Sequence, residues 1–172
     1  MELMREVVES FIRLVKAEID LNAVLVAADD MFEVTKSPSL VLQGPTISED
    51  TDRRTQAMTV AKNPAELTYE ERRHPRLYHL DFDVIATTST EGELLDLMEK
   101  VARLCQTHST LMVGDHGSLN LTELTPLGGL KKVNLSNLRQ ASGRCRIEDC
   151  PVYDGMVETG PLVNEVLLDM NP

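Results

Sequence analysis

Residues 76–105 constrain the fold of this chain more than any other stretch, because they join two hydrophobic periods. RLYHLDFDVIATT at 76–88 has apolar side chains at alternate positions, which is typical of a half-buried strand. STEGELLDLMEKVARLC at 89–105 repeats apolar residues every three or four positions, as an amphipathic helix does. Thr90 and Glu93 fit a capping box at the helix start. The two apolar faces can bury each other, so the sequence predicts a strand and helix at the core of a small α+β domain.

The rest of the chain supplies elements around this unit. Glu2 to about Ile19 has the apolar period of an amphipathic helix. Further strands are predicted at 23–27, at 39–43 (ended by Gly44 and Pro45), at 110–113, at 117–126, and as a closing pair at 138–155 and 160–171, with a turn-rich stretch at 126–137. We therefore predict one α+β domain over 1–172: a small mixed or antiparallel sheet packed against one long helix plus an N-terminal helix.

Residues 46–75 stand apart because they are polar, carry both charge signs and have no convincing period. We interpret them as a long loop or extended arm within the domain, either flexible or ordered by a neighbouring subunit. The arginine pairs Arg53–Arg54 and Arg72–Arg73 lie in this stretch. They are either solvated loop charges or one half of an electrostatic match to an acidic neighbour.

The net charge of −11 and the 3% aromatic content disfavour nucleic-acid binding, which needs clustered Lys and Arg or stacking rings. An acidic surface repels DNA, so DNA remains possible as a neighbour that slides past. No apolar run approaches the ~20 residues of a membrane span, and the N-terminus lacks the pattern of a signal peptide. We expect a cytosolic start and no membrane partner.

The three cysteines fit a reducing compartment. Cys105 falls on the helix stripe and is expected to be a small core residue. Cys145 and Cys150 have opposite strand parity, which places them on opposite faces unless a bulge intervenes. A disulfide or a shared metal between these two cysteines is not expected.

One polar strand face offers the clearest enzymatic alternative. His79, Asp81 and Asp83 alternate with the apolar face, and carboxylates of this kind can hold a divalent metal for phosphoester hydrolysis. The competing interpretation, which we favour, is a polar sheet face toward solvent or a channel. Asp115 and His116 suggest a catalytic dyad, but Asp and Gly are also ordinary turn residues. No phosphate loop, zinc-protease motif or serine-hydrolase motif occurs, so we predict no cofactor and no metal.

The remaining pairing of chemistry-bearing residues is Cys105 with His108, near the predicted helix end. A nucleophilic thiol needs a lowered pKa and access, whereas Cys105 lies on the apolar stripe. His108 is better interpreted as a helix-end residue that interacts with the dipole.

The order of elements carries a family resemblance. An N-terminal helix, a polar loop, the strand HPRLYHLDFDVIATTST, the helix EGELLDLMEKVARLC and the closing GRCRIEDCPVYDGMVETGPLVNEVLLDMN resemble the tail terminator (tail completion) proteins of long-tailed bacteriophages. The likeness covers about 100 residues and does not include 46–75.

The resemblance implies a structural virion protein of the tail or neck, assembled in the host cytoplasm, and no enzyme. Six copies would form a ring that caps the tail tube, stops its polymerisation and joins the neck or connector, with the sheath as a further contact and DNA passing through the lumen. Exposed strand edges and the arm would link the copies. The residues expected at the lumen or interfaces are Asp81, Asp83, Glu91, Glu93, Asp96, Glu99, Arg53, Arg54, Arg72 and Arg73. Another neck, connector, sheath-associated or baseplate role is the alternative, and a small metal-dependent hydrolase a further one.

Overall fold

The computed structural model describes residues 3–34, 36–132 and 137–162. Two α-helices and nine strands occur there, together with a 3-10 turn at Gly114–His116. In chain order the elements are α1 (Leu3–Glu18), β1 (Val24–Val26), β2 (Ser39–Glu49), β3 (Met58–Asn63), β4 (Thr68–Arg73), β5 (Arg76–Thr88), α2 (Glu91–Thr107), β6 (Thr110–Met112), β7 (Ser118–Lys132), β8 (Arg139–Val152) and β9 (Val157–Pro161).

The body of the molecule is a six-stranded mixed sheet in the order β1-β2-β5-β8-β7-β6. The pair β1 and β2 is parallel, and the other pairs in this sheet are antiparallel. The predicted strand 76–88 is β5, at the centre between β2 and β8. The α+β class and the mixed sheet are confirmed.

Both helices cover one face of this sheet. Phe11 of α1 meets Phe82 of β5 with ring centroids 4.9 Å apart, and Leu97 and Val101 of α2 bury against the same layer. Thr90 caps α2 by accepting a hydrogen bond from the Glu93 N–H at 3.3 Å, as the capping pattern predicts. The core is the alternate set of strand residues that faces the helices, including Leu40, Leu42, Leu80, Val84, Ala86, Ala141 and Ile147. The helices have 16 and 17 residues, so neither dominates.

A second, three-stranded sheet extends the centre of the first. Its order is β3-β4-β9, and its strands join β2, β5 and β8 through 50–57, 74–75 and 153–156. The order β2-β5-β8 of the main sheet is therefore repeated as β3-β4-β9 beyond the part that the helices cover. All six residues of β3 are exposed.

The segment 46–75, predicted as a loop or an extended arm, contains regular strands. Residues 46–49 belong to β2, and 58–73 form the β3–β4 hairpin. Both faces of the hairpin are largely exposed to solvent. Its sequence therefore lacks the alternation of apolar and polar residues by which a strand is predicted.

Two predicted strand ends are also wrong, because bulges carry the strands through turn-type residues. β2 continues past Gly44 and Pro45, and these two residues oppose the single residue Phe82 of β5. A Cβ on Gly44 would lie 2.7 Å from the Asp81 carbonyl oxygen, which explains the glycine at this close approach. β7 likewise runs through 126–132 with three register shifts. Residues 133–136 and 163–172 lie outside the described part, so the ends of the predicted turn-rich stretch and of the last strand fall there.

A bulge in β8 corrects the expected parity of two cysteines. Tyr78 pairs with Cys150, but Leu80 pairs with Ile147, so two residues of β8 oppose one of β5. Asp149 within this bulge has φ 63°. The extra residue restores the inward direction, and Cys145 and Cys150 are both buried. No helix of the described ranges is long and apolar enough to cross a membrane.

Candidate assembly surfaces

The joint between the two sheets is held by Arg53. Its Nε donates to Asp50 Oδ2 at 2.7 Å, and its Nη2 donates to Asp149 Oδ1 in the β8 bulge. The bond from Arg53 holds the pKa of Asp50 below its ordinary value of 3.8, and both carboxylates raise the pKa of Arg53. The joint therefore ties the turn after β2 to β8, across β5.

The other three predicted arginines also have acidic partners within the chain. Arg54 donates to both carboxylate oxygens of Glu49, at 2.9 and 2.6 Å, and this lowers the pKa of Glu49. On β4, Arg72 contacts Glu70 at 3.1 Å and Arg73 contacts Asp154 at 3.8 Å. The four arginines predicted at the lumen or interfaces thus form two pairs. Arg53 and Arg54 lie at the joint, Arg72 and Arg73 lie on the small sheet, and each side chain is about half exposed or more.

The acidic residues beside His79 are not the Asp81 and Asp83 predicted for a metal site. His79 lies with Asp50 and Asp149, whose ligand atoms are all within 4.8 Å of one another. His79 Nε2 is 3.8 Å from Asp50 Oδ2, and the Asp149 N–H donates to His79 Nδ1 at 3.4 Å. Because the Arg53 guanidinium already bridges the two carboxylates, a divalent ion would have to displace it. The arrangement is explained as an ion-pair cluster.

Asp81 and Asp83 are paired across the outer face of the main sheet, away from the helices. Asp81 accepts from Arg146 Nε at 2.7 Å and from Nη2 at 2.9 Å, and Asp83 accepts from Arg144 Nε at 2.8 Å. The register places each pair directly opposite on β5 and β8. The Asp81 side chain is 13% exposed, whereas that of Asp83 is 42% exposed. This face presents neutralised pairs rather than bare acid.

The four predicted helical acids lie on the other side of the main sheet, on the surface of α2. Glu91 accepts from Arg139 Nη1 at 2.9 Å, and Glu99 accepts from Arg103 Nη2 at 2.6 Å. Asp96 is exposed and Glu93 is half-buried near the helix start. The six acids predicted for a lumen therefore occupy two opposite faces, and one wall of a channel can present only one of these groups from a given subunit.

The Asp115–His116 pair lies in the 3-10 turn, where Gly114 and Gly117 have φ values of 46° and 90°. His116 Nε2 is 3.3 Å from Glu6 Oε2 of α1, beside an open pocket of about 260 Å³. The pair is explained by a turn that contacts α1.

His108 is the C-cap of α2, and its N–H donates to the Leu104 carbonyl at 2.8 Å. Its Nε2 lies 3.8 Å from Glu18 Oε1. The position of His108 at the helix end is confirmed, and its ring contacts Glu18 of α1, whereas its interaction with the helix dipole stays a prediction.

The cysteines form part of the core and are all free. The sulfurs of Cys105 and Cys145 are 3.9 Å apart, a contact that the sequence does not predict. This contact, together with burial, raises the pKa of Cys105, while the bond from Cys105 lowers that of Cys145. Burial alone raises the pKa of Cys150. Cys105 is thus a protonated packing residue, as the helix stripe indicates, and not an activated nucleophile.

Comparison with known proteins gives structural likeness without sequence likeness. No protein-family model matches the chain, and no curated protein matches its sequence. Among solved structures, the chain is similar to the sheath/tube terminator of an extracellular contractile injection system, PVC, in its extended state, with a TM-score of 0.61, 12% identity and 96% of this chain covered. This chain spans 62% of the length of that protein. A protein of the native gene transfer agent (GTA) virion matches with a TM-score of 0.44 and 13% identity, over 86% of this chain and 93% of that one. The chain has the fold of a sheath/tube terminator over nearly its whole length.

Proposed function

We propose that the protein is a structural component of a phage-like tail, a tail terminator that forms a homo-hexameric ring on the tail tube. The observation that carries this proposal is the fold shared with a sheath/tube terminator over 96% of the chain. The ring would stop tube polymerisation and present a surface to the neck or connector. The protein would act in the virion, after assembly in the host cytoplasm, and would perform no catalysis.

The geometry supports a role in contact rather than in chemistry. The chemistry-bearing candidates are each explained by packing or ion pairs: Arg53 bridges two carboxylates, Arg146 binds Asp81, and Cys105 is packed against Cys145. By contrast, the small sheet exposes both of its faces, and a three-stranded sheet with no covering layer gains from a partner. A ring of identical subunits supplies such a partner through head-to-tail contacts that close on themselves.

The proposed ring has one unassigned feature, the wall that faces DNA. If the outer sheet face formed it, DNA would meet the paired Asp81–Arg146 and Asp83–Arg144. If α2 formed it, DNA would meet a more acidic surface with Asp96 and Glu93. We favour the α2 side, because exposed negative charge repels phosphate and lets DNA pass without binding.

Mass measurement tests the ring. Native mass spectrometry of the purified protein, alone and with purified tail tubes, should give six copies of the 19.2 kDa chain in the assembled species. A protein that stays monomeric in both conditions would contradict the proposal. Negative-stain images of particles made without the protein separate the structural alternatives: over-long or headless tails support a terminator, and missing baseplates oppose it.

The enzymatic alternative has its own test. Melting temperature is measured with calcium, magnesium, manganese and zinc, for the wild type and for His79→Ala. A metal-dependent rise of several degrees that His79→Ala removes would favour the hydrolase. We expect none, since Arg53 occupies the space between Asp50 and Asp149.

A further inference from the structure

The β3 strand is an open sheet edge whose pairing register with β4 is unbroken. It pairs with β4 along one side over six residues. Within the described residues nothing pairs with its other side. The outer strands of the main sheet, β1 and β6, are three residues long each and register only with 41–43 of β2 and 118–120 of β7. Other parts of β2 and β7 are therefore open as well within the described residues. Bulges and prolines at an edge discourage pairing with other chains. β2 has a bulge and Pro45, and β7 has three register shifts and Pro126, so the regular β3 is the open edge best suited to such pairing.

The hydrogen-bond pattern identifies which amides of β3 point outward. His74 N–H donates to the Ala57 carbonyl at 3.0 Å, so these residues form a hydrogen-bonded antiparallel pair. Alternate pairs along the hairpin share that geometry. Thr59, Ala61 and Asn63 therefore bond to β4, while Met58, Val60 and Lys62 direct their N–H and C=O groups away from it.

The opposite edge of the small sheet is blunted. Leu162 N–H donates to the Leu67 carbonyl at 2.7 Å, which places Pro161, one residue earlier, at an outward position of β9. Proline has no N–H to donate, and natural sheets use it at edges to prevent further pairing. The small sheet thus has one protected edge and one free edge.

The side chains beside the free edge are also unpartnered. Met58 and Val60 are 42% and 49% exposed, and both lie on the sheet face that carries Tyr69. The Tyr69 ring covers Gly160, where an added Cβ would be 2.6 Å from it. A strand added to β3 would cover the aliphatic side chains of Met58 and Val60.

We propose that the β3 edge takes up an extended strand from a second copy of this chain, bonded to the outward amides of Met58, Val60 and Lys62. The inference rests on the proposed ring and names one of its two contact surfaces. The contact is heterologous, because pairing between two β3 strands would satisfy both edges in a twofold dimer and leave no ring.

Charge argues for a second copy as the source of that strand. Residues 50–76 hold six Lys or Arg and five Asp or Glu, against 17 and 28 in the whole chain, so the acid excess lies elsewhere. Residues 17–35 alone carry five acids and no Lys or Arg. The hairpin region is therefore nearly neutral, and the acidic body of another copy repels it less than it repels the chain as a whole.

Proline substitution tests the outward amide directly. Val60→Pro removes one outward N–H and no bond to β4, and should weaken self-association by at least about tenfold, measured by mass photometry over a dilution series. Val60→Ile keeps the amide and a branched aliphatic side chain. Thr159→Pro makes the same change at an outward position of β9. Both controls should assemble like the wild type.

Each outcome has a defined meaning. A folded Val60→Pro protein that assembles normally overturns the inference while leaving the ring intact, whereas a wild type that never assembles overturns the ring itself. If Val60→Pro self-assembles normally but no longer binds the tail tube, the β3 edge binds a different protein, and the inference is overturned as well. A disulfide between two Val60→Cys subunits also overturns the inference, because it indicates that two β3 strands pair in a twofold dimer.

Hydrogen exchange on the wild type decides the matter if Val60→Pro does not fold. The amides of Val60 and Lys62 should exchange freely in the monomer and at least about tenfold more slowly in the ring, because a new strand protects them. Equal exchange rates in the two states would contradict strand addition.

Discussion

Two neighbouring ion pairs on the outer sheet face should differ in energy although their chemistry is the same. Arg146→Met removes the guanidinium opposite Asp81 and keeps most of the aliphatic stem, and Arg144→Met does the same opposite Asp83. Both arginines lie on β8 and pair directly across to β5. The second variant is therefore a matched control for the first.

The magnitudes follow from geometry and exposure. Asp81 accepts two bonds, at 2.7 and 2.9 Å, and is 13% exposed, so Arg146→Met leaves a poorly solvated carboxylate. Charged hydrogen bonds of this kind contribute ~1.5–3 kcal/mol. Asp83 accepts one bond at 2.8 Å, is 42% exposed and is rehydrated when Arg144 is lost. An exposed pair is worth ~0.2–1 kcal/mol.

Urea unfolding followed by circular dichroism measures the difference, which we expect to be about 1–2 kcal/mol with unchanged m-values. Asp81→Asn with Arg146→Met completes a double-mutant cycle and isolates the coupling of that pair. In ~1 M salt the cost of Arg144→Met should shrink more than that of Arg146→Met, since screening acts on exposed charges. Equal losses for the two variants would refute the argument from burial.

Three further outcomes are expected. The pKa values of Glu49 and Asp50 are lowered in the folded state, so these two carboxylates stabilise the fold fully above their ordinary pKa values of 4.5 and 3.8. This stabilisation is lost as the pH falls through the lower pKa values of the folded state. Acid unfolding should therefore show a smaller loss of stability for Glu49→Gln than for the wild type. Gly143→Ala should cost ~1–3 kcal/mol in urea unfolding, because its Cβ would lie 2.7 Å from a β7 carbonyl oxygen, and a neutral result would contradict that. Cys105 and Cys150, with raised pKa values, should react with a thiolate-selective disulfide reagent at pH 8 far more slowly in the native protein than in urea; fast native labelling would oppose this.

The sequence predicts the elements that have one buried face. Residues 76–88 and the helix after them are read correctly because Leu80 and Phe82 alternate with polar neighbours, and because Thr90 caps the helix. The hairpin at 58–73 escapes prediction because neither of its faces is buried in the subunit. Hydrophobic residues alternate in a strand because one of its faces is buried, so a strand with no buried face lacks this alternation.

The bulges explain the remaining errors. Gly44 and Pro45 end strands in most sequences, yet here the extra residue is absorbed opposite β5. Cys150 faces the core only because of the bulge at Asp149. The pairing register between two strands, including the position of a bulge, cannot be predicted from the hydrophobic pattern of one sequence.

The sequence identifies the candidate residues as charged surface groups, but only the fold shows which of them lie together. The sequence links Arg53 to other arginines of the polar segment, whereas the structure joins it to Asp149, 96 positions away. Asp81 and Asp96 both read as acids on one unit, and they lie on opposite layers because a strand and its following helix stack face to face. The Arg partners on β8 had no sequence signal beyond alternation of charge.

The continuation of β2, β5 and β8 into β3, β4 and β9 has a mechanical consequence. A force applied to the small sheet enters the body along three parallel covalent paths, not through a single hinge. In the body those paths are three adjacent strands, cross-linked along their length and anchored by two helices, so the load must shear many hydrogen bonds together rather than peel them one at a time. The small sheet is therefore expected to move with the body as one stiff unit when it is pulled along the strand direction.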